Sequence, residues 1–235
     1  LDIGGAGTAG AVTINEADVL DLINAGLSFA GNDTVTLDVA GDSTIEGTYL
    51  RSNGGTLTPL SGLAGFGIDL FDLGGPTQQV DLRITEDQAN ALGGAGLGFA
   101  ANDTVTLDLN VDDLQGTYLG NKLAAGGLAG VPNIGFADLG NQSGGIGIDV
   151  LDMFSDAALI SETDALGLIN AGLSFADNDT VTLDIQSEGT YLGSKLASAG
   201  LTLGALGNAQ DGVGVDILDI GGAGTAGAVT INEAD

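Results

Sequence analysis

The chain of 235 residues contains no histidine and no cysteine, and only 4 lysines and arginines stand against 32 aspartates and glutamates. Without histidine or cysteine, and with no base beside any serine, nucleophilic triads and histidine-based proton transfer are excluded. Paired carboxylates could hydrolyse sugars, but a site copied three times with differing loops is not how an enzyme is built. We therefore expect a protein without catalytic activity.

The shortage of positive charge limits the class of partner. A formal net charge of −28 excludes the basic surface that binds phosphates, so nucleic acid is not an expected partner. The charge keeps the protein soluble but makes it repel itself unless cations screen it, and divalent cations suit that role. The sequence contains no run of 18 apolar residues, so no membrane insertion is expected.

Aromatic residues make up only 4% of the chain, whereas 42 residues are glycine and 43% are hydrophobic. The hydrophobic content is too high for a disordered acidic tail, so the chain is expected to fold. Its core must be thin and built from alanine, valine, leucine and isoleucine, which suits a solenoid. The absence of cysteine is compatible with a secreted bacterial protein, although it decides no compartment alone.

The first eighteen residues, LDIGGAGTAGAVTINEAD at Leu1–Asp18, recur without change at Leu218–Asp235. Eighteen identities in register do not arise by chance, so the sequence has a period of 217 residues. We expect the chain to be a window on a longer array of near-identical repeats. Further copies of the same sequence are then its expected partners, joined in tandem, end to end or side by side.

Each period contains three repeat units of about 72 residues, marked by NDTVTLD at 32–38, 102–108 and 178–184. The motif GTYL follows each copy, and a closing motif G-[IV]-D-x-[FL]-D ends each unit. The boundaries are 1–10 for the end of a preceding unit, 11–79, 80–158 and 159–227 for the three units, and 228–235 for the start of the next period. The glycine-rich insertion at 126–145 is interpreted as loop.

Every unit opens with a helix-start signal, NEAD at Asn15, TEDQ at Thr85 and SETD at Ser161. A capping side chain three residues before an acidic or amide residue predicts a capping box, and a glycine eleven residues later predicts a left-handed helix end. The predicted terminal glycines are Gly26, Gly96 and Gly172. In the first helix the apolar residues at helical spacing are Ala17, Leu20, Ile23 and Leu27.

Strand signals alternate with these helices. TVTLD alternates apolar and polar residues as a half-buried strand does, AVTI, VDLRI and AALI each predict a short strand before a helix, and GIDLFDL and GVDILDI predict closing strands. The segment after GTYL predicts a second helix at Gly189–Leu201 in the third unit and coil at 47–60 in the first. Strand–helix alternation predicts parallel strands with right-handed crossovers.

The fold class predicted from this alternation is α/β, as a repeat protein that forms a parallel β/α solenoid of three units per 217-residue period. If all strands stack in one sheet, each coil advances by about 4.8 Å. Three independent α/β lobes strung like beads are the alternative.

The helix EADVLDLINAGLSFA, the strand NDTVTLD, the segment GTYLGSKL and the ending GVGVDILDI together resemble repeats of giant, acidic, lysine-poor secreted proteins of Gram-negative bacteria. These are the adhesin, surface-layer and biofilm-matrix proteins of the type I secretion kind. The resemblance covers nearly the whole chain and is one of rhythm, without a diagnostic motif. It implies an extracellular or cell-surface location and a role in coats, matrix or attachment, often with calcium. The tandem calcium-binding nonapeptide G-G-x-G-x-D-x-U-x is missing here.

The aspartates of the closing motifs are the candidate ligands for Ca²⁺, the one cofactor considered. They are Asp69, Asp72, Asp149, Asp152, Asp216 and Asp219. Ca²⁺ takes about six to eight oxygen ligands. A strand places residues three apart on opposite faces, so one pair cannot chelate alone, but stacked strands could bring neighbouring carboxylates together. The alternative is a solvated acidic face that keeps fibres soluble.

Other recurring residues have structural interpretations. The Asn–Asp pairs at 32–33, 102–103 and 178–179 predict turns, because both side chains bond to their own backbone there. The tyrosines of GTYL either contact neighbouring molecules or pack on the sheet with the hydroxyl on a loop carbonyl. They are Tyr49, Tyr118 and Tyr191. The residues Phe29, Phe99 and Phe175 are expected in the core, and the T-x-T pairs, 70 to 76 residues apart, recur too rarely for an ice-binding face.

Together these features predict the repeating structural module of a long secreted fibre, sheath or surface layer, with acidic faces bridged by cations and no catalysis. The alternative is the stalk or ligand-binding repeat of a calcium-dependent adhesin. In that case the variable segments after GTYL would contact a surface ligand.

Overall fold

The computed structural model describes residues 1–39, 58–75, 78–109, 118–125, 134–141, 144–154, 157–186, 191–208, 212–221 and 227–231. Within these residues the chain forms eleven strands and eight helices, and every strand pair with a defined register is parallel. The α/β class and the parallel pairing predicted from strand–helix alternation are confirmed. Across the same described ranges, no helix has the length and apolar character needed to cross a bilayer.

The strands are β1 Ala11–Asn15, β2 Thr34–Val39, β3 Leu70–Leu73, β4 Asp81–Thr85, β5 Gly98–Phe99, β6 Thr104–Asp108, β7 Val150–Asp152, β8 Ala157–Ser161, β9 Ser174–Phe175, β10 Thr180–Ile185 and β11 Ile217–Ile220. The helices are α1 Glu16–Ala25, α2 Thr58–Gly65, α3 Glu86–Ala95, α4 Leu119–Ala124, α5 Phe136–Leu139, α6 Glu162–Ala171, α7 Leu192–Ser198 and α8 Leu203–Leu206.

The chain divides into two compact bodies, Leu1–Thr106 with Ser143–Ile148, and Leu107–Gln142 with Asp149–Asp235. The first body holds a sheet of order β1-β2-β3-β5, in which Val12 lies opposite Val35 and Leu37 opposite Phe71. This sheet therefore combines the opening strand, the TVTLD strand and the closing strand of the first repeat unit with β5, which comes from the second unit.

The second body contains the sheet β8-β10-β11, with Val181 opposite Ala158 and Leu183 opposite Leu218. The third repeat unit thus has the same order of opening, TVTLD and closing strands as the first. The closing strand β7 of the second unit also pairs with β9 of the third. The described strands belong to three sheets, not to one stacked sheet.

The three long helices begin and end where the sequence predicts. Asn15, Thr85 and Ser161 cap α1, α3 and α6 in capping boxes, in which the cap side chain accepts a backbone N–H of the first turn. The helices end at Gly26, Gly96 and Gly172, whose φ angles are 66°, 70° and 72°. This left-handed backbone suits glycine, which has no Cβ to clash with the following carbonyl.

The core is formed by the apolar faces of the strands. Val35 and Leu37 are fully buried, and so are their counterparts in the other two TVTLD strands, which confirms the predicted alternation. Phe99 and Phe175 are buried as expected, and Phe29 is half-buried.

The apolar stripe of α1 is exposed instead of buried. Leu20, Ile23 and Leu27 are 61%, 41% and 44% exposed, and Val19 is the buried residue of that helix. Helix α3 packs against α2, and α6 packs against α5. The exposed leucines show that the corresponding side of α1 lacks such a cover in the described structure.

One prediction about an irregular segment is wrong: the insertion at 126–145 is predicted as loop but includes the helix α5. Of the segment 47–60, predicted as coil, residues 47–57 lie outside the described residues, and α2 begins at Thr58. Helix α5 is stabilised by Asp138, whose Oδ2 accepts the N–H of Gly135 at 2.8 Å, and by the buried Phe136 and Leu139. The predicted second helix of the third unit is confirmed as α7.

Candidate functional site

The most regular polar contacts lie where one repeat unit passes into the next. We call each of these places a junction: the closing strand, the link after it and the NDTVTLD turn of the following unit. At the junction between the first and second units, Asp103 Oδ2 accepts the N–H of Leu73 at 2.9 Å and Oδ1 accepts that of Val80 at 3.3 Å. Leu73 ends the closing strand and Val80 precedes β4, so one carboxylate holds both ends of the link.

Both bonds recur at the junction before the first unit, and the first of them recurs at the junction between the second and third units. Asp33 accepts the N–H groups of Ile3 and Gly10 at 2.9 and 2.8 Å. Asp179 Oδ2 accepts the N–H of Met153 at 2.9 Å. Asp33, Asp103 and Asp179 are 6%, 4% and 7% exposed, so these bonds are sheltered from water. We call the three residues the clamp aspartates.

Hydrogen bonding to the clamp aspartate changes its acidity at the first junction. The N–H of Ile3 lowers the pKa of Asp33, burial opposes this by raising it, and the N–H of Gly10 lowers it further, so the pKa lies below its ordinary value of 3.8. The folded state therefore favours the ionised carboxylate. This contribution to stability is present above pH 3.8 and is lost as the pH falls through the lowered pKa.

The turns predicted at the Asn–Asp pairs are present, but the side chains act differently from the prediction. The N–H of Asp33, Asp103 and Asp179 bonds to the carbonyl three residues earlier, at 3.1, 3.2 and 3.0 Å, which closes each turn. The carboxylates accept N–H groups that are 23 to 30 residues away in the sequence.

In the first and third units, the first aspartate of the closing motif bonds to the TVTLD strand of its own unit. Asp69 Oδ2 accepts the N–H of Val35 at 2.8 Å, and Asp216 Oδ2 accepts that of Val181 at 2.9 Å. Asp216 Oδ1 also accepts the side-chain amide of Asn208 at 2.9 Å. These carboxylates align the start of the closing strand with the TVTLD strand.

Three of the remaining closing-motif aspartates have asparagine partners. Asn141 Nδ2 lies 2.6 Å from Asp149 Oδ1 and repeats the Asn208–Asp216 pair. Asn102 Nδ2 donates to Asp72 Oδ1 at 3.0 Å, so this bond joins the NDTVTLD turn of the second unit to the closing strand of the first.

At the next junction, Asn178 Nδ2 lies 3.4 Å from Asp152 Oδ1, which also accepts the N–H of Phe154 at 2.8 Å. Asp219, the counterpart of Asp72 and Asp152 in the third unit, is half-buried in β11.

These contacts bear on the calcium prediction. The six candidate ligands are distributed along three closing strands, and five of them bond to backbone N–H groups or asparagine amides. Over the described part of the chain, no group of three or more acidic side chains is placed to hold a metal ion. Calcium binding by these aspartates stays a prediction.

The tyrosines of GTYL lie in different surroundings. The Tyr118 hydroxyl donates to the carboxylate of Asp184, at the end of β10, and Gln186 Nε2 donates to both groups at 2.9 Å. The acceptor is thus a carboxylate and not the predicted loop carbonyl. The bond to Asp184 raises the pKa of Tyr118, and burial and the charge of Asp184 act in the same direction. Tyr191 is 50% exposed, and Tyr49 lies outside the described residues.

A hollow of about 800 Å³ in the second body lies among α4, α5 and α6. Its lining includes Gly120, Phe136 and Gly167, and its one titratable side chain is Asp164. Asp164 Oδ2 accepts the N–H of Ser161 at 3.0 Å in the capping box of α6. A single carboxylate bound in a helix cap does not make an acid–base pair, so this hollow is not a candidate active site.

Sequence reasoning missed the clamp aspartates and the asparagines before the closing motifs. A signal for both was present. An aspartate recurs at the same place in all three NDTVTLD motifs, and an asparagine precedes the closing aspartate by eight residues at Asn141 and again at Asn208.

Comparisons of the chain with known protein families, with curated proteins and with solved structures find no match.

Proposed function

We propose that this chain is a structural repeat module of a long secreted fibre, sheath or surface layer, in which successive units continue as a parallel β/α solenoid. The observation that carries the proposal is the recurrence of the same carboxylate clamp at three successive junctions. If every unit is attached to the preceding one by the same bonds, the step from unit to unit is constant. A constant step produces a regular rod.

Strand pairing across the junctions supports the same proposal. The closing strand β3 pairs with β5 of the following unit, and β7 pairs with β9 in the same register. The closing strand of each of these units thereby forms hydrogen bonds with a strand of the following unit. The contacts that recur among the described residues join one unit to the next, so the proposed role is mechanical.

The proposal is tested with arrays of one, two and four 217-residue periods joined without linkers. Small-angle X-ray scattering should give a maximum dimension that rises by the same increment for each added period. Arrays of the same length in which every clamp aspartate is replaced by asparagine are the matched control, and they should lose the constant increment. A four-period array that is as compact as a globular protein of its mass would contradict the proposal. Electron microscopy of the native material should reveal filaments or a lattice.

The adhesin alternative depends on the variable segments after GTYL. No contact among the described residues favours it, and it stays a prediction that a pull-down on glycans or cell surfaces tests.

A further inference from the structure

An open apolar groove runs along α1 in the first body. It has a volume of about 380 Å³, and its apolar lining of Ile14, Leu22, Ala25, Leu27 and Phe29 is flanked by two carboxylates, Asp18 and Asp21. Leu27 is 44% exposed, which is unusual for a leucine that follows a helix end in this fold. The groove raises the question of what covers it.

The same position is covered in the other two repeat units. Leu97 and Leu173, the counterparts of Leu27, are each 2% exposed. The helix of the second unit, α3, packs against α2 of the first, and the helix of the third unit, α6, packs against α5 of the second. In both cases a short helix of the preceding unit packs against the helix that precedes the buried leucine.

The contact between α5 and α6 is close enough to define its geometry. A Cβ on Gly140 would lie 2.1 Å from the carbonyl oxygen of Ala171, and one on Gly167 would lie 2.9 Å from the ring of Phe136. The N–H of Asn141 donates to the Ala171 carbonyl at 3.0 Å. Glycine at position 140 is therefore required for this contact because of space alone, since its φ of −77° suits any residue.

The third unit ends in the same elements, but these are more exposed. FADLGN at 136–141 aligns with LGALGN at 203–208, and both precede the closing aspartate by the same distance. Helix α8 is thus the counterpart of α5. Leu203, in place of the buried Phe136, is 37% exposed. A Cβ on Gly207, the counterpart of Gly140, would meet no atom closer than 3.6 Å.

The position of the first three residues indicates which element could pack into the α1 groove. Leu1–Ile3 repeats the sequence of Leu218–Ile220, which follows α8 in the third unit. The carbonyl of Leu1 accepts the N–H of Ala30 at 2.6 Å. This bond corresponds to the bonds from Ala100 to Phe71 and from Ala176 to Leu151 at the later junctions, at 2.7 and 2.9 Å. A copy of the end of β11 therefore already lies beside α1.

We propose that the α1 groove binds the α8 end of a second copy of this chain, so that copies associate head to tail; this rests on the proposed structural role. Ala25 takes the place of Ala171 under Gly207 of the partner copy. Tyr191, which is 50% exposed, takes the place of Tyr118 and donates to Asp38, the counterpart of Asp184. The two surfaces differ, so the association is open-ended.

The duplicated segments do not prevent this association. Leu1–Ile3 lies beside Ser28–Ala30, whereas Leu218–Ile220 pairs with β10. A strand has two edges, so at a head-to-tail contact a single copy of the segment can make both sets of bonds. The other copy is then released. So is the segment 227–231, which repeats 10–14 and whose Thr230 pairs with Tyr191 in the single chain, because Thr13 of the partner copy takes its place.

The test is sedimentation of the full chain at increasing concentration, in salt that screens the acidic surfaces. The wild type should form a series of species beyond the dimer. Gly207→Ala should fold with an unchanged Tm, because the position is open, but should remain monomeric, because the new Cβ meets the Ala25 carbonyl of the partner. Gly204→Ala is the matched control: its counterpart Ala137 is already alanine at the covered junction, so association should not change.

A mixture of two variants tests the direction of the contact. Leu27→Asp blocks the groove and leaves α8 intact, whereas Gly207→Ala blocks α8 and leaves the groove intact. Each alone should be monomeric, and the mixture should form a one-to-one complex that grows no further. A monomeric wild type, a Gly207→Ala variant that associates normally, or a mixture that stays monomeric would each overturn the proposal.

Different experimental results would overturn the proposed structural role and the proposed docking of separate copies. Joined arrays that lengthen regularly, combined with monomeric single chains, would overturn the docking of separate copies and leave the structural role standing. Single chains that associate as described, combined with joined arrays that do not lengthen, would overturn the structural role instead.

Discussion

An ionised carboxylate has about four acceptor positions and no proton to donate, so it can hold several N–H groups at once. Asp103 uses this property to hold Leu73 and Val80 at the two ends of one link. A chain with only 4 basic residues cannot secure each junction with salt bridges. Backbone N–H groups are available in every unit whatever the side chains, which explains how an acidic, glycine-rich sequence can repeat the same attachment.

The first prediction concerns this clamp. Asp103→Asn should lower the free energy of unfolding by about 1–3 kcal/mol. Asparagine keeps one acceptor oxygen but replaces the other with an NH2 group, so one of the two backbone N–H groups would face a donor and lose its hydrogen bond. Urea denaturation measures the change. Asp177→Asn removes the same charge from an exposed turn position and should have little effect. Equal losses in the two variants would show that charge, not the clamp, is responsible.

The second prediction concerns pH. The bond to Asp184 raises the pKa of Tyr118, so the folded state favours the neutral phenol. Its contribution to stability is full below pH 10 and is lost as the pH rises through the raised pKa. Between pH 9 and 12 the wild type should therefore lose more stability than Tyr118→Phe.

Thermal denaturation at a series of pH values measures this difference. Tyr191→Phe, at a half-exposed position, should follow the wild type. Parallel curves for the wild type and Tyr118→Phe would contradict the assignment.

At the scale of elements, each long helix has its own start and stop signals. In α6 the Ser161 hydroxyl accepts the N–H of Asp164 at 3.2 Å, and Asp164 Oδ2 accepts the N–H of Ser161 at 3.0 Å. The reciprocal bonds satisfy two N–H groups that the helix itself leaves without acceptors. The carboxylate also lies at the positive end of the helix dipole.

The third prediction follows from this cap. Ser161→Ala should lower the free energy of unfolding by about 0.5–2 kcal/mol, the usual range for loss of an N-cap hydroxyl. Thr163→Ala, two residues later on the exposed side of the first turn, is the control, and it should be neutral or slightly stabilising because alanine has the higher helix propensity. A destabilised Thr163→Ala would mean that the first turn is held by more than its cap.

The elements also show how much of the fold can be predicted from the sequence alone. The caps at Asn15, Thr85 and Ser161 were predictable because their bonds span three residues, and the strands because alternation is local. Helix α5 could not be predicted in this way, because four residues are too few to form a periodic pattern. Its Phe136 is buried by packing against the helix of the next unit, which is a contact between residues far apart in the sequence. The clamps act over 23 to 30 residues, beyond any local pattern.

At the scale of the whole molecule, charge repulsion opposes the packing that the junctions require. The net charge is −28, and Lys195 contributes one of the few attractions, with its Nζ 3.3 Å from Glu162 Oε2. Both side chains are less than one-fifth exposed, and the pair joins α7 to the first turn of α6. One such pair does not offset the repulsion among the remaining carboxylates, so mobile cations must provide the compensation.

The fourth prediction is that salt raises Tm. The Debye length falls from about 10 Å at 0.1 M to about 3 Å at 1 M, so sodium chloride should screen the repulsion and stabilise the fold progressively. At equal ionic strength Ca²⁺ and Mg²⁺ should raise Tm equally, because the closing-motif carboxylates already accept N–H groups and amides. Calorimetry with each cation, before and after a chelator, measures both effects. A gain specific to Ca²⁺ that the chelator removes would show instead that carboxylates converge on a calcium ion, and a Tm that falls with salt would refute the screening argument itself.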